Sequence, residues 1–254
     1  MPPPLPPAPN FLIIGAAKAA TTSLASLLDL HPEAAIARPK ECHFFSLDQQ
    51  YRLGWDAYLS LYKHCRDERA IGDASTSYSR IRYHPHVLAH IRQHIPAAKI
   101  IYMVRHPIER MESAYAEHMK TPENPFAFSS INDAILRQPM IVDSSRYWEV
   151  FDAYRRVFGE ARIKVVWFEE YVSRTKEVFK DVCRFLEIDD TLDPDLQSQK
   201  INGREDPARL IPQLDQAWDP ALRRRVIEVI QADNLRFLAH FDRPRDHWGD
   251  LFQA

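Results

Sequence analysis

Three observations predict an α/β fold for this chain, a doubly wound parallel sheet flanked by helices. Short apolar runs at Phe11–Ile14, Ala34–Ala37, Ala70–Gly72, Lys99–Val104 and Ile163–Phe168 mostly lack alternation, as strands buried on both faces do. Helical patterns separate these runs, the order that builds a parallel sheet. Polar clusters follow the strand ends, where ligands sit in such sheets.

The first strand runs into Gly15-Ala16-Ala17-Lys18-Ala19-Ala20-Thr21-Thr22-Ser23, a loop of small residues with one lysine and three hydroxyls. A helix over Thr22–Leu30 follows and stops before His31-Pro32. Free N–H groups at a helix start attract an anion, so this is a P-loop-like phosphate-binding element. It departs from the nucleotide pattern G-x-x-x-x-G-K-[ST], because Lys18 comes three residues after the only glycine of the loop. Further helices are expected over Gly54–Lys63, with aromatics at helical spacing, and over Pro85–His94, which ends before Pro96. Ile108–Lys120 begins just after a proline, which suits a first turn. Later helices are expected over Ser145–Phe158, Arg174–Leu186 and Pro220–Leu238. Thr121–Ser129 and Asp189–Pro212 read as irregular, the second as a candidate lid.

The length of 254 residues suits a single domain over 10–254 after a proline-rich tail over 1–9. The chain is 45% hydrophobic and 27% charged, ordinary for a soluble globular protein. A net charge of -2 argues against a nucleic-acid-coating surface. Cys42, Cys65 and Cys183 form no CxxC pair and cannot all be bridged, which favours a reducing compartment. No apolar run reaches transmembrane length, and the six prolines among the first nine residues do not read as a signal peptide. The expectation is a cytoplasmic protein without an integral membrane segment. The oligomeric state is not legible.

Each strand end carries candidate chemistry with an ordinary alternative beside it. Arg38-Pro39-Lys40-Glu41-Cys42-His43-Phe44-Phe45-Ser46 places a carboxylate and an imidazole two residues apart. That is an acid–base pair, or a solvated charge cluster leading into a buried Phe pair. Gly72-Asp73-Ala74-Ser75-Thr76-Ser77-Tyr78-Ser79 lines a pocket, or forms a cap or turn. Arg105, at the end of the fourth strand, and Ser113, two helical turns on, suit a second phosphate. The alternative is that Arg105 pairs with Glu109 or Glu112. Ser198-Gln199-Lys200-Ile201-Asn202-Gly203-Arg204 closes over an anion, or is a plain exposed loop. Tyr51, Trp55, Tyr58, Tyr62 and Tyr78 form a stacking wall for a sugar, or a packed helix face. The histidines are scattered, so no metal site is expected.

Taken together, from Asn10 to Arg204, these segments resemble the sulfotransferases that use 3′-phosphoadenosine 5′-phosphosulfate (PAPS). The stretch Ile13–Leu24 resembles the family's 5′-phosphosulfate loop, and Val104–Tyr115 its 3′-phosphate element. Lys40-Glu41-Cys42-His43-Phe44-Phe45 is most similar to the heparan-sulfate and related carbohydrate branch. The resemblance implies PAPS as donor, PAP as product, no metal, and a glycan or small-molecule acceptor. It implies Lys18, Glu41 and His43 as catalytic residues. For the donor it implies Lys18, Ala19, Ala20, Thr21, Thr22, Ser23, Arg105, Ser113, Tyr147, Lys200, Gly203 and Arg204.

The chain departs from the branch pattern at three places. Ala20 replaces a glycine before the paired threonines, Ala74 stands where a lysine is usual, and Asn202 replaces another lysine. The branch's late cysteine pair is also absent. Two competing readings are a P-loop kinase or NTPase, with Asp73 as its acid, and a non-catalytic nucleotide-binding module.

Overall fold

In the computed structural model, which describes residues 6–120, 128–191 and 214–252, five strands form one sheet. They are β1 (Phe11–Gly15), β2 (Ala34–Ile36), β3 (Ala70–Ala74), β4 (Lys99–Val104) and β5 (Ile163–Trp167). Every pairing is parallel and the order is β2-β3-β1-β4-β5. All five residues of β1 are buried, as an apolar run without alternation requires at the middle of a covered sheet. From β1 the chain crosses to the edge strand β2, returns to β3 beside β1, and then passes to β4 and β5 on the other side. The strand order reverses at β1, so its carboxyl end opens between those of β3 and β4, the usual ligand crevice.

The register explains one residue choice. Phe11 pairs with Gly72, and a Cβ on Gly72 would lie 2.1 Å from the Phe11 ring. Only glycine lets that ring lie across β3.

The helices are α1 (Thr21–Asp29), α2 (Asp48–Tyr51), α3 (Trp55–Leu59), α4 (Val87–His94), α5 (Pro107–His118), α6 (Ile131–Arg137), α7 (Met140–Asp143), α8 (Tyr147–Phe158), α9 (Phe168–Ser173), α10 (Thr175–Leu186) and α11 (Pro220–His240). In α10, Phe179, Val182, Cys183 and Leu186 are buried, a helical stripe at i, i+3, i+4 and i+7. Each of the larger apolar side chains there contributes roughly 1.5–3 kcal/mol by leaving water. Pro107 and Pro220 occupy first turns, and Asp219 caps α11 by accepting from the Leu222 N–H at 2.8 Å.

Several expected boundaries move. The helix expected over Gly54–Lys63 is α3 followed by a 3-10 turn at Ser60–Tyr62. Phe168 opens α9 and does not extend β5. Helices α2, α6, α7 and α9 fall where none was expected. For α6 a signal was present, since Ser130 accepts from the Asp133 N–H in the spacing of a capped start. Most of the two irregular stretches lies outside the described residues.

The described residues group into two compact units, those within 1–104 and 153–203, and those within 105–152 and 204–254. The first holds the sheet. The second is built around Arg110, which is 1% exposed. Its Nε donates to Ser145 Oγ at 2.7 Å and its Nη2 to the Ile141 carbonyl, so the buried guanidinium is hydrogen-bonded. Asn234 ties the same turn to α11 by donating to the Ser145 carbonyl at 2.9 Å.

Candidate active site

The loop after β1 has the backbone of an anion cradle. Gly15 leaves the strand at φ 137°, and a Cβ there would meet Ser79 Oγ at 2.4 Å, so glycine is required. Lys18 and Ala20 are left-handed, at φ 73° and 65°, with Ala19 between them outside that region. Alternation of this kind is the pattern of backbone nests that bind anions. Ala20 thus adopts the conformation a glycine usually supplies. It is also the cap residue of α1 and offers no side-chain acceptor, so the first-turn N–H groups of Thr21, Thr22 and Ser23 are left for an anion. Among the expected donor residues, Ala19 and Thr21 are buried, Thr22 is exposed, and Lys18, Ala20 and Ser23 are half-buried. Ser23 Oγ shares a hydrogen bond of 2.8 Å with the hydroxyl of Tyr171 on α9. Burial pushes the Tyr171 phenol up to about 12, so it stays protonated. Nothing in the local sequence pointed to Tyr171, 148 positions away.

The loop after β2 meets the turn after β3. Glu41 and His43 are both left-handed, at φ 61° and 55°. The Glu41 carboxylate accepts from Lys40 Nζ at 3.0 Å, the Thr76 N–H at 3.2 Å and Thr76 Oγ1 at 3.0 Å. Burial pushes its pKa upward, but the Lys40 ammonium and these donors outweigh burial and hold it below the ordinary value. His43 Nε2 lies 3.7 Å from Glu41 Oε2, and its Nδ1 is 2.7 Å from Ser77 Oγ. Both side chains are 31% exposed, so the pair is assembled and reachable from solvent.

Arg80, absent from the expected site, adds positive charge here. Its Nε is buried with no hydrogen-bond partner among the described residues. Burial lowers its pKa while the Glu41 charge opposes the shift. His84 is lowered first by burial and then by Arg80 and His43.

The hydroxyl-rich turn is mostly internal. Asp73, Ser75, Ser77 and Ser79 are all buried. Asp73 accepts from Tyr58 at 2.9 Å, Tyr78 at 2.5 Å, Ser75 at 2.7 Å and the Cys42 thiol at 3.0 Å. An acid so occupied is not placed to serve a magnesium–nucleotide site. Tyr58, Tyr62 and Tyr78 belong to this network and are at most 2% exposed, so they pack rather than stack on a ligand. Phe44 lies parallel to Tyr58, with ring centroids 4.3 Å apart.

The second unit contains the Arg105 element. Arg105 Nη2 lies 3.2 Å from Glu109 Oε2, one helical turn on, so the expected alternative partner is in place. Ser113 is half-buried in α5. Tyr147, expected to touch the donor, is fully buried, and its hydroxyl donates to the Arg105 carbonyl at 2.6 Å. It stands behind Arg105 and holds its backbone. Lys200, Gly203 and Arg204 lie outside the described residues. Among the described residues no group of three or more His, Cys, Asp or Glu is placed to hold a metal ion, and no helix is long and apolar enough to cross a membrane.

Comparison with known proteins adds to this geometry. A curated relative, membrane-associated sulfotransferase kil1 of Dictyostelium discoideum, is 27% identical over 158 residues, 59% of this chain and 33% of its own length. Human heparan sulfate glucosamine 3-O-sulfotransferase 6 is 36% identical over 118 residues, 46% of this chain and 33% of its own length. The chain spans about a third of the length of these two relatives. Among solved structures, a sulfotransferase from Alicyclobacillus acidocaldarius superposes with a TM-score of 0.73 at 28% identity, covering 94% of this chain and 97% of that one. A mouse sulfotransferase complexed with PAP shares the fold, with a TM-score of 0.50 at 16% identity over 78% of this chain and 64% of its own. A model of the sulfotransferase family matches residues 56–193, more than half of the sequence, and the chain belongs to that family.

Proposed function

We propose that this protein transfers the sulfuryl group of PAPS to a hydroxyl or amine of a carbohydrate or small-molecule acceptor by in-line displacement, with PAP as the second product. The observation that carries this reading is the uncapped start of α1 behind two left-handed residues, a cradle suited to a 5′-phosphate. In this reading the Ala20 N–H and the Thr21, Thr22 and Ser23 donors hold that phosphate, while the Ala19 N–H, expected among the donors, is turned inward to the Ala16 carbonyl at 3.2 Å. Lys18 neutralises charge that develops on the leaving group. Arg105 exchanges Glu109 for the 3′-phosphate and shares it with Ser113, while Tyr147 keeps Arg105 in place. Lys200, Gly203 and Arg204 complete the donor contacts.

Glu41 is the general base, supported by its partial exposure at the strand ends and by a lowered pKa that keeps it ionised though it weakens it as a base, with His43 orienting it or the acceptor. No metal is needed, because fixed protein donors stabilise the transferred charge. Lys40 and Arg80 place positive charge beside Glu41, which favours an acceptor with an acidic group in a chain whose Ala74 has lost a lysine. The carbohydrate class is also supported by the human 3-O-sulfotransferase relative. We place the protein in the cytoplasm, on its three free cysteines, and read 10–254 as one sulfotransferase domain made of the two compact units.

The test is calorimetric titration with PAP against ATP, followed by transfer of labelled sulfate to a panel of acceptors. Tighter binding of PAP and transfer by the wild type are expected, and preference for ATP overturns the assignment. Lys18→Ala and Glu41→Ala should each lower turnover by roughly 10²-fold or more, with PAP binding largely kept. Full turnover in Glu41→Ala would move the base to His43.

A further inference from the structure

We propose that Asp73 is a positioning residue for the transfer reaction, holding the loop of Glu41 and His43 in its working shape through Cys42 and Ser75. The inference rests on the reading of Glu41 as general base. Asp73 sits near the carboxyl end of β3 and is fully buried. Its Oδ2 accepts from the Cys42 thiol at 3.0 Å, and its Oδ1 from Ser75 Oγ at 2.7 Å. Ser75 Oγ in turn accepts the His43 N–H at 3.1 Å. One carboxylate therefore holds two successive residues of the loop, Cys42 directly by its side chain and the His43 backbone through Ser75.

The loop needs such a grip. Glu41 and His43 are left-handed without being glycines, a conformation that crowds Cβ against the next carbonyl. Strained residues of this kind persist where their surroundings over-determine them. With Cys42 drawn to Asp73, Glu41 and His43 on either side reach Thr76 and Ser77 on the turn that follows β3.

Three donors of the network hold their protons. Burial, with the charge of Asp73 adding to it, pushes the Cys42 thiol and the Tyr58 and Tyr78 phenols upward, so all three remain donors. Tyr58 and Tyr78 brace Oδ2 at 2.9 and 2.5 Å, and Tyr62 donates to the Tyr58 hydroxyl at 3.0 Å. Ser77 Oγ is shared between His43 Nδ1 and Ser46 Oγ, which closes the loop on itself.

The experiment uses the full chain with Asp73→Asn, Cys42→Ala and Cys42→Ser. PAP affinity comes from calorimetry, kcat and its pH profile from sulfate transfer, and the Glu41 titration from carboxyl NMR. Asp73→Asn puts an amide donor where only acceptors fit, and Cys42→Ala removes one donor. Each should lower kcat by about 10-fold or more with donor KM within about twofold, as a displaced catalytic group does. In both, the Glu41 midpoint and the acid limb of the pH profile should rise toward the ordinary carboxyl value, as its Thr76 bonds loosen. Cys42→Ser keeps a donor and should restore most of the loss. If Asp73→Asn does not fold, the Cys42 pair decides. Equal kcat and equal Glu41 midpoints in Cys42→Ala, Cys42→Ser and wild type would overturn the role of Asp73. A wild type that binds PAP but transfers to no acceptor would instead strike at the proposed reaction, and the Glu41 midpoints would still report on the latch.

Discussion

Replacing Ala20 by glycine should stabilise this protein, although glycine weakens a helix interior. Ala20 is held at φ 65° and ψ 22°, where an L-residue pays roughly 1–2 kcal/mol and glycine pays none. Against that, glycine frees the unfolded chain and costs roughly 0.4–1 kcal/mol. No other loss is expected from this side chain, since Ala20 makes no side-chain cap bond to α1. The balance is a gain of about 0.8 kcal/mol, or about 2–3 °C in Tm for a chain of this length. Equilibrium unfolding in urea measures it. Ala20→Val runs the other way, because a β-branched residue is a genuine outlier here, so the expected order of stability is Gly, Ala, Val. PAP affinity should stay within about twofold in Ala20→Gly, since the cradle is made of backbone N–H groups. A glycine variant less stable than wild type by about 0.5 kcal/mol or more would refute the left-handed assignment and the strain argument with it.

Three further outcomes are expected. Tyr147→Phe removes the hydroxyl that donates to the Arg105 carbonyl and should cost about 1 kcal/mol of stability. It should also weaken PAP severalfold while sparing adenosine 5′-phosphosulfate, which lacks the 3′-phosphate, whereas equal binding of PAP by both proteins would leave Tyr147 a packing residue only. Gly72→Ala sets a Cβ against the Phe11 ring and should destabilise by about 1–3 kcal/mol, and a neutral melt would mean that the ring lies elsewhere. Asp233 accepts the Trp148 and Glu149 N–H groups at 2.9 Å, and burial pushes its pKa up to about 6 against the pull of those donors. Because the folded value lies above the unfolded one, its stabilising contribution is complete below the ordinary 3.8 and is lost as pH rises through about 6. The stability difference between wild type and Asp233→Asn should therefore shift against the wild type by on the order of 2–3 kcal/mol from pH 4 to pH 8, and a pH-independent difference would sink this account.

The sequence by itself determined the parallel α/β fold, the exact span of Lys99–Val104, the first turns at Pro107 and Pro220, and the loop of Lys18. These are local properties, since unbroken apolar runs, proline geometry and small-residue loops act within a few positions. The short α2 and α7 were not legible, because four residues carry too little period to be read. Only the tertiary structure decided which groups Asp73, Arg80, Tyr147 and Tyr171 meet. Asp73, the acid that a kinase or NTPase reading needs, collects four donors from three segments of the chain. Tyr147 meets Arg105, 42 positions away, by donating to its carbonyl. The left-handed backbones of Ala20, Glu41 and His43 have no signature in their residue types. For Glu41 and His43 such a conformation is held by hydrogen bonds to residues more than 30 positions away, and sequence order alone does not bring those partners together.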